Sequence, residues 1–247
     1  MSKEKSFLGI PENFQDKVFV RPPLVKEVVG NDHFPMYRHL LTISQEELED
    51  EFVKKKGDGD FNVPTPLEFL LANSYHDKQF ERVAKDAFYF FTGQRVDFLY
   101  ETKLILIGDI KEVLSKVNSI DELVFIDENC YFDFQNKVRE SLGETPIEKP
   151  NPNEHPKIKR MKALARYRDR IKAKQGGGIN LLTSLASICC MGIGITPLNI
   201  GEMSYASIGI IMATYQNKEK YEIDIASLQA GANPKKIKPK YWIKNLD

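Results

Sequence analysis

The sequence predicts an α+β protein that is mainly helical, with a small β-hairpin or sheet in the N-terminal domain and an all-helical C-terminal part. Three observations carry this reading. Apolar residues recur at spacings of three and four behind capping signals at Ser44, Thr65 and Asp109. The period shortens to two over Val96, Phe98 and Tyr100. Beyond a Pro-rich stretch ending at Pro156 the patterning is purely helical.

Residues 1–43 are punctuated by Pro11, Pro22, Pro23 and Pro35 and hold short apolar pieces such as Val18-Phe19-Val20, which reads as an extended N-terminal arm with one short helix at most. An α+β domain is expected over 44–143. Ser44-Gln45-Glu46-Glu47 satisfies the capping box, with Ser as cap and Glu three residues on, and opens an acidic helix to about Lys55, followed by a loop over Lys54–Asp60. Thr65-Pro66-Leu67-Glu68 is a cleaner start, because Pro at the first helical position gives up no needed amide donor. Its helix carries Leu67, Leu70 and Leu71 inward, and a helix over Lys78–Phe91 presents Val83, Ala87, Phe90 and Phe91. Leu104–Ile107 pairs with the alternating run across Glu101-Thr102-Lys103 as a hairpin. Asp109-Ile110-Lys111-Glu112 starts a helix to about Asn118, Leu123–Ile126 returns as a strand, and a helix over Phe132–Leu142 is closed by Gly143.

Glu144–Pro156 has linker composition, with four prolines and two asparagines. The region 157–247 then holds a basic helix, Gly176-Gly177-Gly178, an apolar helix over 179–191, a Gly/Pro turn, a helix from about Asn199 to Asn217 opened by Asn199 and Glu202, and a C-terminal strap.

With 247 residues, 42% hydrophobic and 28% charged, the chain has the balance of a globular protein that buries real cores. Its 35 basic and 35 acidic residues cancel, against the basic excess of a general nucleic-acid binder. Charge is instead regional. Between Lys157 and Lys174 there are nine Lys/Arg against one acid, Asp169. The three cysteines, Cys130, Cys189 and Cys190, form neither a disulfide framework nor a CxxC spacing, which fits a reduced, intracellular setting. The N-terminus has no apolar core of signal-peptide length. Ile179–Ile195 is uncharged, but its 17 residues are broken by Asn180, Thr183, Ser184 and Ser187, short of the ~20 apolar residues a span requires, and a buried core helix is expected.

Chemistry is sparse. Asp58-Gly59-Asp60-Phe61-Asn62 begins like a calcium loop but has Val63 where Gly is needed and Phe69 where Glu is needed. His33, His39, His76 and His155 have no metal-ligand spacing. The three glycines follow no strand and lack the Lys-Ser/Thr or ribose-binding acid of a nucleotide cradle, so a hinge is expected. There is no Gly-x-Ser-x-Gly, and Cys189 and Cys190 sit on an apolar helix as packing residues. No catalytic residue, cofactor site, metal site or small-molecule substrate is therefore assigned, and a non-enzymatic role is expected.

Partner-binding residues are assigned to the two basic segments. In the basic helix, Lys159, Lys162, Arg166, Arg168, Arg170 and Lys174 form a charged face, while Ile158, Met161, Leu164, Ala165 and Ile171 form a stripe expected to pack on protein. In the strap, Lys238, Lys240, Tyr241 and Trp242 place an aromatic pair among cations, a composition suited to a protein interface. The acidic run Glu46, Glu47, Glu49, Asp50 and Glu51 is a candidate counter-surface, within the chain or on a neighbouring copy.

The order of an α+β part, a Pro-rich linker, a basic helix, an apolar helix and the ending ITPLNIGEMSYASIGIIMATYQNKEKYEIDIASLQAGANPKKIKPKYWIKNL resembles tail-morphogenesis proteins of tailed bacteriophages, which include tail assembly chaperones and small tail or baseplate proteins. The resemblance rests chiefly on residues 156–245. It implies a non-enzymatic role in building the tail, with tube, tape-measure or baseplate proteins as partners, self-association, and residence in the host cytoplasm during assembly or in the virion. Nucleic acid and membrane are not expected partners. The alternative is a DNA-binding protein in which 179–191, the turn 192–198 and the helix from 199 form a helix-turn-helix beside the basic helix. Met203, Ile208, Ile210, Ile211 and Met212 stand where that arrangement needs polar side chains for base edges.

Overall fold

The computed structural model describes residues 3–15, 18–56, 63–108, 124–149, 155, 158, 161–162, 165, 168, 180–233 and 236–242. The α+β, mainly helical fold class holds. Helices are α1 (Lys3–Leu8), α2 (Val25–Val29), α3 (Phe34–Thr42), α4 (Gln45–Lys56), α5 (Pro66–His76), α6 (Lys78–Thr92), α7 (Glu128–Ser141), α8 (Leu181–Cys190) and α9 (Tyr205–Gln229). Strands are β1 (Glu12–Gln15), β2 (Val18–Val20), β3 (Val96–Leu99), β4 (Leu104–Ile107) and β5 (Val124–Ile126).

Local chemistry sets the helix starts. Two of the expected boxes form: the Ser44 and Thr65 hydroxyls accept from the amides of Glu47 and Glu68, whose carboxylates accept in return from the Ser44 and Thr65 amides. Asp77 and Asp127 cap α6 and α7, and Gly93 ends α6 in the left-handed conformation. α6 buries Ala84, Ala87, Phe88 and Phe91 along one side. Phe88 stacks on Phe134 of α7 with ring centroids 5.1 Å apart, and Tyr131, Leu41, Val18, Val20, Ile105 and Ile126 close the same core. β3, β4 and β5 form an antiparallel sheet in that order, with Phe98 opposite Ile105 and Ile105 opposite Ile126.

Several features differ from the sequence reading. The apolar helix α8 is not a buried core helix: only Ile188 is buried, Leu182 is 74% exposed and Cys190 is exposed, because α8 packs through one side on α9. α7 starts at Glu128, ahead of the expected Phe132, because Asp127 caps it. Residues 3–43 are not an extended arm. The β1–β2 hairpin and α3 place Val18, Val20, Phe34, Leu40 and Leu41 in the main core, because the apolar pieces between the prolines are each long enough for one short buried element. The first part of the 144–156 linker is docked on α7. Ile147 donates to the Asn136 side chain at 2.6 Å, Asn136 donates back to the Ile147 carbonyl, and the Arg139 guanidinium donates to the Thr145 carbonyl. The helix expected from Asn199 starts later and runs further. Asn199 is spent on the Gly/Pro turn, accepting from the Thr196 amide and donating to the Gly194 carbonyl, so Ile200–Glu202 is only a 3-10 turn and Ser204 becomes the cap of α9. The expected helix at 109–118 and the glycines at 176–178 lie outside the described residues.

The C-terminal helices are tied to the body by the N-terminal segment. The Ser204 hydroxyl donates to the Phe7 carbonyl, the Ser6 hydroxyl to the Glu140 carbonyl, the Tyr205 amide to the Pro23 carbonyl and the Val25 amide to the Met203 carbonyl, at 2.8–2.9 Å. A second core of Val25, Ile188, Ile200 and Ile208 forms across this junction. Gly143, at φ 75°, ends α7 so close to α9 that a Cβ there would lie 3.3 Å from both Cα and Cβ of Ala206. Gly143→Ala combines left-handed strain with this crowding and is expected to lower unfolding stability by about 1–3 kcal/mol in urea melts. An unchanged midpoint would show that α9 is not held against the end of α7.

Candidate partner-binding surface

Ile158, Met161, Lys162, Ala165 and Arg168 are helical and solvent-exposed, as a segment with Lys or Arg at half its positions and no interior breaker would be. The described members Ile158 and Met161 do not pack on the body as the stripe was expected to: they are 49% and 69% exposed. Lys162 Nζ lies 3.7 Å from a Glu148 carboxylate oxygen, which sets this segment beside the docked part of the linker. Lys159, Arg166, Arg170, Lys174, Leu164 and Ile171 lie outside the described residues.

The strap runs back along α9. The Tyr241 ring meets Tyr221 edge-on with centroids 5.7 Å apart, and Trp242 is tilted against Tyr241 at 6.3 Å. Lys238 and Lys240 are exposed and Tyr241 is 52% exposed, so the strap touches α9 through the Tyr241 ring while its cations face solvent. The turn between α8 and α9 adds Leu198, which is 96% exposed. That turn runs from Met191 to Ser204, and Ala206, Ser207 and Ile208 at the start of α9 are buried, so the first turn of this helix offers little to a DNA groove.

The acidic counter-surface has mixed roles. Glu47 closes the α4 box, Glu51 lies 3.7 Å from His39, and Glu46 lines a groove between helix starts. The calcium-like residues Asp58–Asn62 lie outside the described residues. Among the described residues no three His, Cys, Asp or Glu side chains gather to hold a metal ion, and no helix is long and apolar enough to cross a membrane.

A charge cluster clamps α6 to β3. Lys85 Nζ lies 2.8 Å from Asp97 and 3.1 Å from Glu81, above the Phe98 ring at 5.6 Å. Burial works against the Lys85 ammonium, but Asp97 and Glu81 outweigh it and hold its pKa above the ordinary lysine range. Burial likewise opposes the Glu81 carboxylate, and Lys78 and Lys85 overcome it and hold it below the carboxylate range. Burial, with Glu81 nearby, pushes the Tyr100 phenol up. Burial and Asp127 raise the Cys130 thiol, which makes it a poor nucleophile. The Lys85 and Glu81 shifts are those of a structural ion pair, whereas Tyr100 and Cys130 are raised chiefly by burial, as is the Glu128 carboxyl beside Thr65.

No protein-family model, no curated protein and no solved structure matches the chain. Sequence reasoning did not find the groove beneath Glu46 or the Ser6 and Ser204 ties, because lone serines carry no periodic or spacing signal.

The clamp has a pH signature. Glu81 contributes stability that is fully present above the ordinary value of 4.5 and is lost as pH falls through its lower folded value. Lys85 contributes stability that is present below 10.5 and is lost as pH rises through its higher folded value. Glu81→Gln should therefore flatten the acid limb of the stability–pH curve below 4.5, and Lys85→Met should cost about 1 kcal/mol at neutral pH. Urea melts across the range check both; parallel acid limbs for Glu81→Gln and the parent would contradict the assignment.

Proposed function

We propose that this chain is a non-enzymatic tail-morphogenesis protein of a tailed phage, acting as an assembly chaperone or as a tail or baseplate subunit by binding other tail proteins. The observation that carries the binding role is the basic helical segment whose apolar members Ile158 and Met161 face solvent. A charged helix with an uncovered apolar stripe is the form in which a helix enters a groove on a partner. The strap fits the same role, because Lys238, Lys240, Tyr241 and Trp242 offer an aromatic anchor with a cationic rim. The tail itself is proposed from the resemblance of residues 156–245. The pairing of charges and the raised Cys130 thiol favour no competing enzymatic reading.

Deleting the gene from the phage genome that encodes it is expected to give filled heads without functional tails, restored by the parent gene supplied in trans. Replacing Arg166, Arg168 and Arg170 with Glu should abolish that complementation while leaving the thermal melt of the purified protein unchanged. Normal tails in the deletion would overturn the tail reading. Tight, steeply salt-dependent binding of duplex DNA by the purified protein would move the basic segment to the DNA-binding alternative.

A further inference from the structure

Three helix starts converge on one groove of the body. α4, α5 and α7 begin behind Ser44, Thr65 and Asp127, and the groove beside them encloses about 250 Å3. Pro66, Phe132 and Ile147 give it an apolar lining, while Glu46, Glu128 and Glu148 stand on its edge. It is smaller than the ~300–1,000 Å3 of small-molecule sites and has room for the side chains of an inserted peptide. The peptide that fits is one that sets an apolar residue among cations.

This chain carries such a peptide. In Pro156-Lys157-Ile158-Lys159-Arg160-Met161-Lys162 two apolar residues sit among four cations, and both apolar residues are exposed. Lys162 already lies beside Glu148 at the edge of the groove, so the segment's charge is matched to that edge within one chain. Even so, Ile158 and Met161 stay outside the groove of their own chain. Charge is thus segregated into complementary surfaces on a molecule whose formal net charge is zero.

We propose that the groove receives residues 156–168 of a second copy of this chain, with Ile158 or Met161 inserted and Lys or Arg against the acidic edge. The inference rests on the basic segment being a protein-binding element. Groove and segment are different surfaces, so the contact is heterologous: the Lys162–Glu148 contact within one chain is exchanged for one between copies, each copy that inserts its segment still presents its own groove, and growth continues until a ring closes or a filament forms.

Sedimentation velocity on the full chain tests this. At low ionic strength, species heavier than the 28.3 kDa monomer should grow with concentration and dissolve at high salt. A segment variant, Ile158→Glu with Met161→Glu, and a groove variant, Glu46→Lys with Glu148→Lys, should each weaken self-association by about tenfold or more, and Glu148→Lys alone offers a milder change at an exposed site. Mixing the segment and groove variants should give a dimer that does not grow, because one intact groove meets one intact segment. A monomer at every concentration in low salt, self-association untouched by either variant, or a mixture that fails to pair would overturn the proposal. The groove variant should still complement the tail phenotype's partner-binding step in a pairwise binding assay with purified tail proteins, which separates failure of self-association from failure of the tail reading.

Discussion

The position of α8 and α9 depends on one junction, where the first described residues hold the start of α9 against the end of α7. Ser6 and Ser204 spend their hydroxyls on carbonyls far away in sequence, and the Pro23 carbonyl and Val25 amide complete a short bridge to Met203 and Tyr205. Each bond is worth only about 1 kcal/mol net, but all lie at one place where Gly143 lets the two helices approach closely. Losing one leaves a buried polar group without its partner, which costs more than the bond itself contributes. The second core of Val25, Ile188, Ile200 and Ile208 then fills the space that this junction creates.

That junction decides which surfaces are left for partners. The buried residues of α9 are Ala206, Ser207 and Ile208, all in its first turns, and the rest of a 25-residue helix lies half-buried or exposed. An isolated helix is marginal in water, so the distal part relies on its continuity with the first turns, which pack on α8 through Ile208, Ile211 and Met212, and on the strap that meets it at Tyr221. The basic segment is in the same position with less cover, because its described apolar residues face solvent. Both features leave apolar and aromatic side chains of the C-terminal elements uncovered, while in the body Lys85, Glu81 and Asp97 are engaged in holding α6 to β3.

Much of the body was legible because its signals are local. Ser44 and Thr65 announce helix starts through a hydroxyl and a glutamate three residues on, and Val96, Phe98 and Leu104–Ile107 announce a hairpin through alternation and a continuous apolar run. The N-terminal arm was misread because prolines mark where elements stop and say nothing of whether the pieces between them are buried: Val18 and Val20 are fully buried. Asn199 was misread as a helix cap because its carboxamide serves equally well to close a turn, and the choice is made by Thr196 and Gly194. On the candidate surface, the basic charge and its apolar stripe were legible, but not that the stripe's described members would stay off the body, since that depends on where Glu148 and the docked linker hold Lys162.

Hydrogen exchange on the intact chain, compared with a chain lacking residues 1–10, tests most directly whether the N-terminal segment holds α9 in place. In the intact chain the amides of Tyr205–Met212 should exchange on the same slow scale as those of Phe134–Val138 in the core of α7, with protection falling along the distal half of α9. Removing residues 1–10 should strip protection from Tyr205–Met212 while the amides of α5 and α6 keep theirs. Equal protection of Tyr205–Met212 in both chains, or fast exchange there in the intact one, would contradict the role given to the junction.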